Sequence, residues 1–588
     1  MAVTDKGVSQ RGGGGFLIAR HPAESILIPE SFDDELKMMG QTAQRFVERE
    51  ILPVFDEMER LSYELSVEKM RKAGEQGLLA VDIPEAYGGL DGSKAASMLV
   101  CEKLARSGSF NVTFNAHTGI GTLPLVYFGN KAQHETYLPG LATGERIAAY
   151  CLTESGSGSD SRAAKTRAVL NEAGTHYLLS GTKMWISNAG FADLFTVFAQ
   201  VDGELFTAFL VERGTSGLSF GAEEKKMGIK GSSTRQLILE NAPVPVDNVL
   251  GEIGKGHLIA FGILNIGRLK LAAGAIGGCK EMVRLAANYA LEREQFGQPI
   301  ASFGLIQEKL GAMAADTFAL ETAVYRMTGD LDARLAGKET QEEKLKAIDD
   351  YVVEYSFIKV AGSEILGEVI DEALQIHGGN GFSAEYSVEL AYRNARINRI
   401  FEGTNEINRL LTTGQLLKRA MKGKLDLMGA VQEAMGGEPV SAVEAPDGLR
   451  DAYLAAENLK RATLLVTGSA AMTYGQGIER EQEVMARAAD MVTAVYLAES
   501  ALLRAERLSG SGRGEVAGLM ARLFAFDAVD RARLYGGEAL RRIGGAEESA
   551  KDNLGKLNRF LPEHGVDLIG LRREVAAAVC EARAYPLA

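Results

Sequence analysis

Apolar positions recur at three- and four-residue spacing from about residue 29 to 140, as in FDDELKMMGQTAQRFVEREILPVFDEMER. That period predicts amphipathic helices, with an interruption at Pro53. Turns are expected at residues 83–89 (IPEAYGG) and 127–130 (YFGN), where Gly and Pro punctuate the pattern. Near Ala148 the texture changes to short β-branched and aromatic runs: AAYCLT, HYLLSGTKMWIS, LFTVFAQV and LFTAFLV. The Asp202-Gly203 pair between the last two is a hairpin signal. PVPVDNVLG closes this β region, its prolines suiting a strand edge or a linker. Long helical periods return from Gly254 to about Lys424 and predict an antiparallel bundle. MGGEPVSAVEAPDG (residues 435–448) reads as a linker. Residues 449–588 are helical again, with Val484, Ala488, Met491, Val495, Ala498 and Leu502 on one stripe. The order is helices, sheet, helices, more helices, and the tail is open to being a second bundle resembling the first.

Length and charge narrow the classes. At 588 residues the chain exceeds one compact domain, and about three to five are expected from usual domain sizes. A net charge of −14 argues against a general nucleic-acid binder, which needs a basic face. Hydrophobic residues at 46% supply ample core. Cys101, Cys151, Cys279 and Cys580 form no CxxC pair, so neither a disulfide framework nor a metal site is expected. The first residues lack the apolar run of a secretory signal, and no stretch reaches the roughly 18 apolar residues of a membrane span. A soluble protein in a cytosol-like compartment, at most peripheral on a membrane, is the expectation.

Three segments carry candidate chemistry. Residues 150–160 (YCLTESGSGSD) form a small-residue loop leaving a strand. Such a loop lets backbone N–H groups and hydroxyls approach phosphate or a planar ring, and its composition equally fits a flexible connection. Residues 183–188 (KMWISN) hold the one tryptophan, which a strand places either in the core or against a ligand. Residues 399–409 (RIFEGTNEINR) set Glu402 between Phe401 and Gly403. Partial desolvation there raises a carboxylate toward the range of a general base; a solvated glutamate at a helix-entry turn is the alternative.

Taken together, in this order and spacing, the three segments resemble the acyl-CoA dehydrogenases, FAD-dependent flavoproteins. The resemblance spans roughly residues 75 to 420. It includes PEAYGG at 84–89, FGNK at 128–131, LPGLATGE at 138–145, MGIKGSST at 227–234 and VPVDNVLG at 244–251. REQFG at 293–297, QIHGGNGF at 375–382 and FEGT at 401–404 complete the set. The extra tail resembles that of the very-long-chain subgroup, which carries a second helical domain.

The resemblance implies a mainly α fold with a central β domain. Its parts would be an N-terminal arm (1–28), an N-terminal α-helical domain (29–147) and a middle β-barrel or sheet domain (148–253). A four-helix bundle (254–424), a linker (425–448) and an additional C-terminal helical domain (449–588) would follow. It also implies oxidation of an acyl-CoA to a trans-2-enoyl-CoA, with Glu402 removing the α proton and hydride leaving to flavin N5. Some relatives carry the base on the helix containing LNIGR, where this chain has Gly267, which cannot abstract a proton.

Tyr150, Leu152, Thr153, Gly158 and Ser159 are implied to line the flavin ring and substrate entrance, with Ser159 also near the CoA arm. Trp185 and Ser187 would cover the flavin's other side. Arg293, Gln295 and Phe296, with Gln375, Gly378 and Gly379, would reach the FAD of a neighbouring subunit, so a homodimer is implied. Thr404 and Glu406 would approach the adenosine, while Asn265, Arg268 and Gly403 would join Ser159 on the substrate. His377 is read as local variation and not as an acid.

Electrons would pass to an electron-transfer flavoprotein. An acyl-CoA oxidase, or a relative serving mainly as a scaffold, is the competing expectation. Leu425, Met428, Val431 and Met435 can form an apolar stripe with nearby lysines, read either as a membrane-surface helix on the inner face of a membrane or as a linker helix packed on protein.

Overall fold

A computed structural model of the chain describes residues 12–545 and 548–588. It resolves into two compact units. One comprises Asp33–Gly277 with Leu335–Asp349; the other comprises the described residues up to Phe32, Gly278–Arg334 and Asp350–Ala588.

The first unit opens with helices α1 (Asp34–Phe46), α2 (Tyr63–Glu75), α3 (Lys94–Leu104) and α4 (Lys131–Thr143). Asp33, Ser62, Ser93 and Asn130 precede them, and each side chain accepts from the backbone N–H three residues on. Those bonds satisfy amides that a helix start otherwise leaves without an acceptor. After α1 the chain passes through a π turn, Val47–Ile51, and a 3-10 turn, Leu52–Val54. Pro53 lies in that second turn because it has no N–H for a continuing helix.

An eight-stranded sheet follows: β1 (Ala148–Cys151), β2 (Arg167–Leu170), β3 (His176–Ser187), β4 (Leu194–Val201), β5 (Leu205–Glu212), β6 (Leu218–Glu223), β7 (Thr234–Pro245) and β8 (Val249–Leu250). Their order is β6-β7-β3-β2-β4-β5-β8, with β1 parallel to β4. The Asp202-Gly203 signal becomes the turn between antiparallel β4 and β5, both residues at positive φ (52° and 79°). Partner strand β6 pairs with β7 only as far as Leu239, so Pro243 and Pro245 lie where no ladder bond is asked of them. The core runs from Phe46, Phe110 and Phe114 on the helical segments to Val197, Phe209 and Leu237 on the sheet.

Helix α5 (Gly256–Glu292) begins in this unit and ends in the other. Contrary to the sequence expectation, its composition does meet the span test: an 18-residue window reaches a mean hydropathy of 1.5. That window is 72% buried within the protein, which accounts for its apolar character.

The second unit is helical: α6 (Gly304–Leu335), α7 (Val352–His377), α8 (Asn405–Met421), α9 (Leu427–Gly436), α10 (Arg450–Tyr474), α11 (Gln482–Leu508), α12 (Gly514–Gly544), α13 (Glu548–Phe560) and α14 (Leu568–Ala582). All six residues of the Val484–Leu502 stripe on α11 are buried. Residues 12–32 are built into the same unit. Phe16 packs edge-on against Phe357 and Tyr496, and the Gly13 and Gly14 amides donate to Glu354 at 3.1 and 2.8 Å.

The stripe considered for a membrane surface is largely spent on this packing. Leu425 and Val431 are buried, and Met435 receives the Ser469 hydroxyl at 3.8 Å. Met428 remains outward. This packing fits the packed-linker alternative over the buried part of the stripe.

Buried ion pairs tie α6 to α11. Arg326 donates to Glu499 at 2.7 Å and to Ser500 at 3.0 Å; Arg504 donates to Glu321 at 2.6 Å and to Glu30 at 2.8 Å. Lys460 adds a second donor to Glu499 at 2.6 Å. Burial would raise the Glu499 carboxyl, but Lys460 and Arg326 overcome it and hold it down at about 2. The stability this anion contributes is therefore present above the ordinary carboxyl range and is lost as pH falls toward about 2. Replacing Glu499 by Gln leaves Arg326 and Lys460 underneutralised in the interior. The expected loss is about 3–5 kcal/mol at pH 7, read from urea unfolding of the α-helical signal, and an unchanged midpoint would refute it.

Candidate active site

On the sheet-bearing unit, β1 delivers Tyr150, which is buried, donates to the Ala260 carbonyl at 3.4 Å and meets Phe198 edge-on. The following loop is tied at its base. The Thr153 carbonyl accepts from the Met184 amide at 2.8 Å, and Glu154 and Ser157 exchange backbone bonds at 3.0 and 3.1 Å. Beyond that closure Gly158 and Ser159 are exposed, and a Cβ at Gly156 or Gly158 would meet open space.

Two residues that sequence reasoning passed over fix this loop. Lys183 is fully buried and donates to the Leu152 carbonyl at 3.3 Å and to Glu154 at 2.7 Å. Glu154 also accepts from the Lys165 and Thr166 amides at 2.7 and 3.0 Å and from the Thr166 hydroxyl at 2.5 Å. Burial works against the charge of both partners; at Glu154 the Lys183 ammonium and Thr166 prevail and lower its pKa. Both stood inside motifs named above, and a Lys and a Glu 29 residues apart, one on β3 and one in the loop after β1, give no spacing signal that pairs them.

Trp185 is not in the core. The β3–β7 register shifts between Lys183 and Ile186, and at that bulge Trp185 takes φ +60° and is 54% exposed. A bulky side chain in the left-handed region is strained, and here the strain turns an indole outward. Ser187, half-buried, pairs with Thr234 at the strand end. On α5 the buried Arg268 donates to Asn265 at 2.9 Å, and Gly267 between them is buried.

On the helical unit, Glu402 and Gly403 both have positive φ, 57° and 81°. This turn is held from beneath through its carbonyls. Lys359 donates to the Gly403 carbonyl at 2.7 Å, and Asn408 donates to the Glu402 and Gly403 carbonyls at 3.3 and 2.8 Å. Thr404 caps α8 by accepting from the Ile407 amide at 3.3 Å. Lys359, Asn405 and Asn408 are buried, whereas Glu402 is half-buried and Glu406 exposed. Backbone and Thr404 hydrogen bonds at the helix start lower the Glu406 pKa. Lys359 and Asn408 were not singled out from the sequence: Lys359 reaches Gly403 across 44 residues, which leaves no periodic trace, and Asn408 reads as an ordinary polar position in the first turns of a helix.

The same unit displays a tight hairpin after α5, Glu294–Gln295 paired with Gln298–Pro299. Phe296 and Gly297 form its tip at φ 55° and 79°, leaving Phe296 94% exposed and Arg293 and Gln295 outward. Gln375, Gly378 and Gly379 lie at the exposed end of α7, and Cβ atoms on the two glycines would meet nothing. Tyr289 joins these places, stacking on His377 at 4.2 Å and receiving Asn380 at 3.0 Å. His377 is buried, its Nδ1 is 2.7 Å from the Ala373 carbonyl and burial lowers its pKa, so it is a packing residue. Among the described residues no group of three His, Cys, Asp or Glu is placed to hold a metal ion.

Comparison with known proteins identifies the family to which this fold belongs. Models of the acyl-CoA dehydrogenase N-terminal, middle and C-terminal domains match residues 33–145, 149–242 and 254–417, and a further acyl-CoA dehydrogenase C-terminal domain model matches 458–554. A probable acyl-CoA dehydrogenase of Bacillus subtilis is 48% identical over 590 residues, covering 97% of this chain and 98% of that protein. The human mitochondrial very long-chain specific acyl-CoA dehydrogenase is 35% identical, covering 84% of this chain and 77% of its own. The crystal structure of an acyl-CoA dehydrogenase complexed with FAD from Bacillus anthracis superposes with a TM-score of 0.95 at 45% identity, covering 98% of this chain and 99% of that one. Butyryl-CoA dehydrogenase from Megasphaera elsdenii covers only 66% of this chain, at a TM-score of 0.60 and 33% identity. From its N-terminal helices through its extra helical tail, the chain belongs to the acyl-CoA dehydrogenase family.

Proposed function

We propose that the protein is an FAD-dependent acyl-CoA dehydrogenase of long-chain acyl-CoA thioesters, with Glu402 as the base that takes the α proton. The observation that carries this is the backbone at Glu402. A left-handed, non-glycine carboxylate persists only where its surroundings over-determine it, and Lys359 and Asn408 grip the turn through three hydrogen bonds. Strain of this kind accumulates where a group must be aimed. Lacking any carboxylate, Gly267 leaves the alternative position on α5 without a base.

The residues present fit FAD. An indole turned outward at a bulge, open-faced glycines at 156, 158, 378 and 379, and the exposed Ser159 hydroxyl offer one flat apolar surface and several close backbone approaches. FAD, when bound, supplies the hydride acceptor. Trp185 and Ser187 would orient the ring from one side, and Tyr150, Leu152 and Thr153 from the other. The backbone N–H of Glu402 would donate to the thioester carbonyl, whose polarisation makes the α proton removable by a carboxylate. Water exclusion by the acyl chain would strengthen that bond and raise the base.

The outward Arg293, Gln295 and Phe296 suit contact with a second subunit's cofactor, so the working form is a homodimer. The additional helical domain, matched also in family models, supports a long-chain preference, and an electron-transfer flavoprotein is the proposed acceptor.

Anaerobic titration of the FAD-loaded protein with palmitoyl-CoA is expected to bleach the flavin's visible band. Glu402→Gln should slow bleaching about 10²- to 10⁴-fold with flavin content unchanged. Bleaching at the wild-type rate in that variant would remove Glu402 from the role, and stoichiometric peroxide during aerobic turnover would indicate an oxidase instead. Phe296→Ser is expected to lower both the sedimentation coefficient and the flavin retained after gel filtration. Retention of both by the variant would detach the hairpin from any neighbouring subunit.

A further inference from the structure

Below the Glu402 turn, polar contacts continue away from the family's shared core into the additional C-terminal domain. Asn405 is buried; its Oδ1 accepts from Lys359 at 2.8 Å and from Ser363 at 3.2 Å, and its Nδ2 donates to Glu364 at 2.9 Å. Glu364 takes both ends of the Arg409 guanidinium, at 2.8 and 2.7 Å. The remaining Nε of Arg409 donates to Asp490 on α11 at 2.6 Å. Charges alternate along the path: Asp490, Arg409, Glu364, then Lys359 across Asn405, ending on the Gly403 carbonyl.

We propose that Asp490 is a positioning residue for the α-proton transfer, fixing Arg409 and through it Glu364 and Asn405 beneath the Glu402 turn. The inference rests on the reading of Glu402 as the base.

Geometry gives the reason. A guanidinium is planar, and here its Nε edge and its two terminal nitrogens are held by carboxylates on different helices, α11 and α7, which leaves one orientation. With the Nε contact gone, the fork can pivot while keeping a bond to Glu364. Glu364 Oε1 serves Arg409 and Asn405 together, so a pivot of the fork competes with the Asn405 amide. That amide decides which proton of Lys359 is left for the Gly403 carbonyl. Burial raises the Asp490 pKa against the pull of Arg409, while at Glu364 the guanidinium outweighs burial and lowers it. The path ends on the tail side at a carboxylate whose close cationic partner is Arg409, with Arg487 a more distant 3.9 Å away.

A second bond between the same helices provides the control. Thr413 on α8 donates to the Met485 carbonyl on α11 at 2.8 Å, outside the path to Gly403.

The test is stopped-flow reduction of the full-length, FAD-loaded protein by palmitoyl-CoA without oxygen. It reads the limiting rate separately from the half-saturating concentration. Asp490→Asn is expected to lower the limiting rate about 3- to 30-fold with half-saturation and FAD content unchanged. Asp490→Glu, which restores the carboxylate, should recover most of it. Thr413→Val should leave the limiting rate at wild type, although it removes a bond between the same helices. If Asp490→Asn does not fold, Arg409→Lys replaces it, since it keeps the charge and loses the fork, with the same expectation.

A wild-type limiting rate in Asp490→Asn overturns the proposal, as does an equal fall in Thr413→Val or a fall that only follows lost FAD. Glu402→Gln in the same series separates the two levels. If it still reduces flavin, the base assignment itself is wrong. If it is inert while Asp490→Asn behaves as wild type, only the positioning role is.

Discussion

The helical unit depends on a reciprocal exchange of charges between α6 and α11. Glu321 and Arg326 lie five residues apart on α6, and Glu499 and Arg504 lie five apart on α11. Each arginine binds the other helix's glutamate. The crossing order, 321 with 504 and 326 with 499, requires the two helices to run antiparallel at one register. A slip of one turn, about 5.4 Å, would part both arginine–glutamate pairs in the interior. Such pairs add little net stability over a packed apolar contact, because desolvation consumes most of the Coulomb gain. What they add is specificity: they choose one docking of the tail on the bundle from several that an Ala- and Leu-rich surface would otherwise allow. Glu30 on Arg504, and Tyr585 on Glu321 at 3.0 Å, recruit segments from far along the chain to the same register.

Fixed register matters because the strained Glu402 turn is held by single atoms. A carbonyl gripped by one ammonium and one amide is restrained only as well as the helices carrying those groups are. Lys359, Ser363 and Glu364 lie on α7, Asn405, Asn408 and Arg409 on α8, and Asp490 on α11. A displacement of α11 is thus felt at α8 through Arg409 and Thr413 as well as through packing. The exposed surfaces follow the opposite logic. Gly158, Gly378 and Gly379 and the tip of the hairpin at Phe296 have little holding their faces, as suits backbone that a ligand or another subunit must approach closely.

The sequence made the element order legible because period 3.6 and period 2 patterns are local, and the Asp202-Gly203 turn and the Pro53 break are fixed by the chemistry of one or two residues. The motifs around Glu402, Trp185 and the 150–160 loop were legible as a colinear set. What composition alone read poorly was Trp185. A lone tryptophan in a strand is normally core, and only the bulge, invisible to a propensity argument, turns it outward. The α9 stripe was ambiguous for a different reason: helical spacing marks an apolar face without saying whether lipid or protein covers it, and here Val431 packs so closely on α10 that a Cβ at Gly468 would strike it, while Met428 stays outward. The span-length window of α5 has the same ambiguity, resolved by burial.

Least legible were the groups that make the site rigid. Lys183 with Glu154, and Lys359 with Asn405, are charged or polar residues at positions that pattern reading assigns to solvent or leaves blank. Each is buried because it has a partner brought by the fold, and neither partner is recoverable from spacing. The consequence for reading such chains is directional. A buried lysine is costly unless it is held, so where the fold does hold one, the carbonyl or carboxylate it holds in return is restrained with it. Among the buried lysines, Lys183 and Lys359 end on the loop after β1 and on the turn carrying Glu402. Those are the segments to which the proposed chemistry assigns the cofactor's ring and the base.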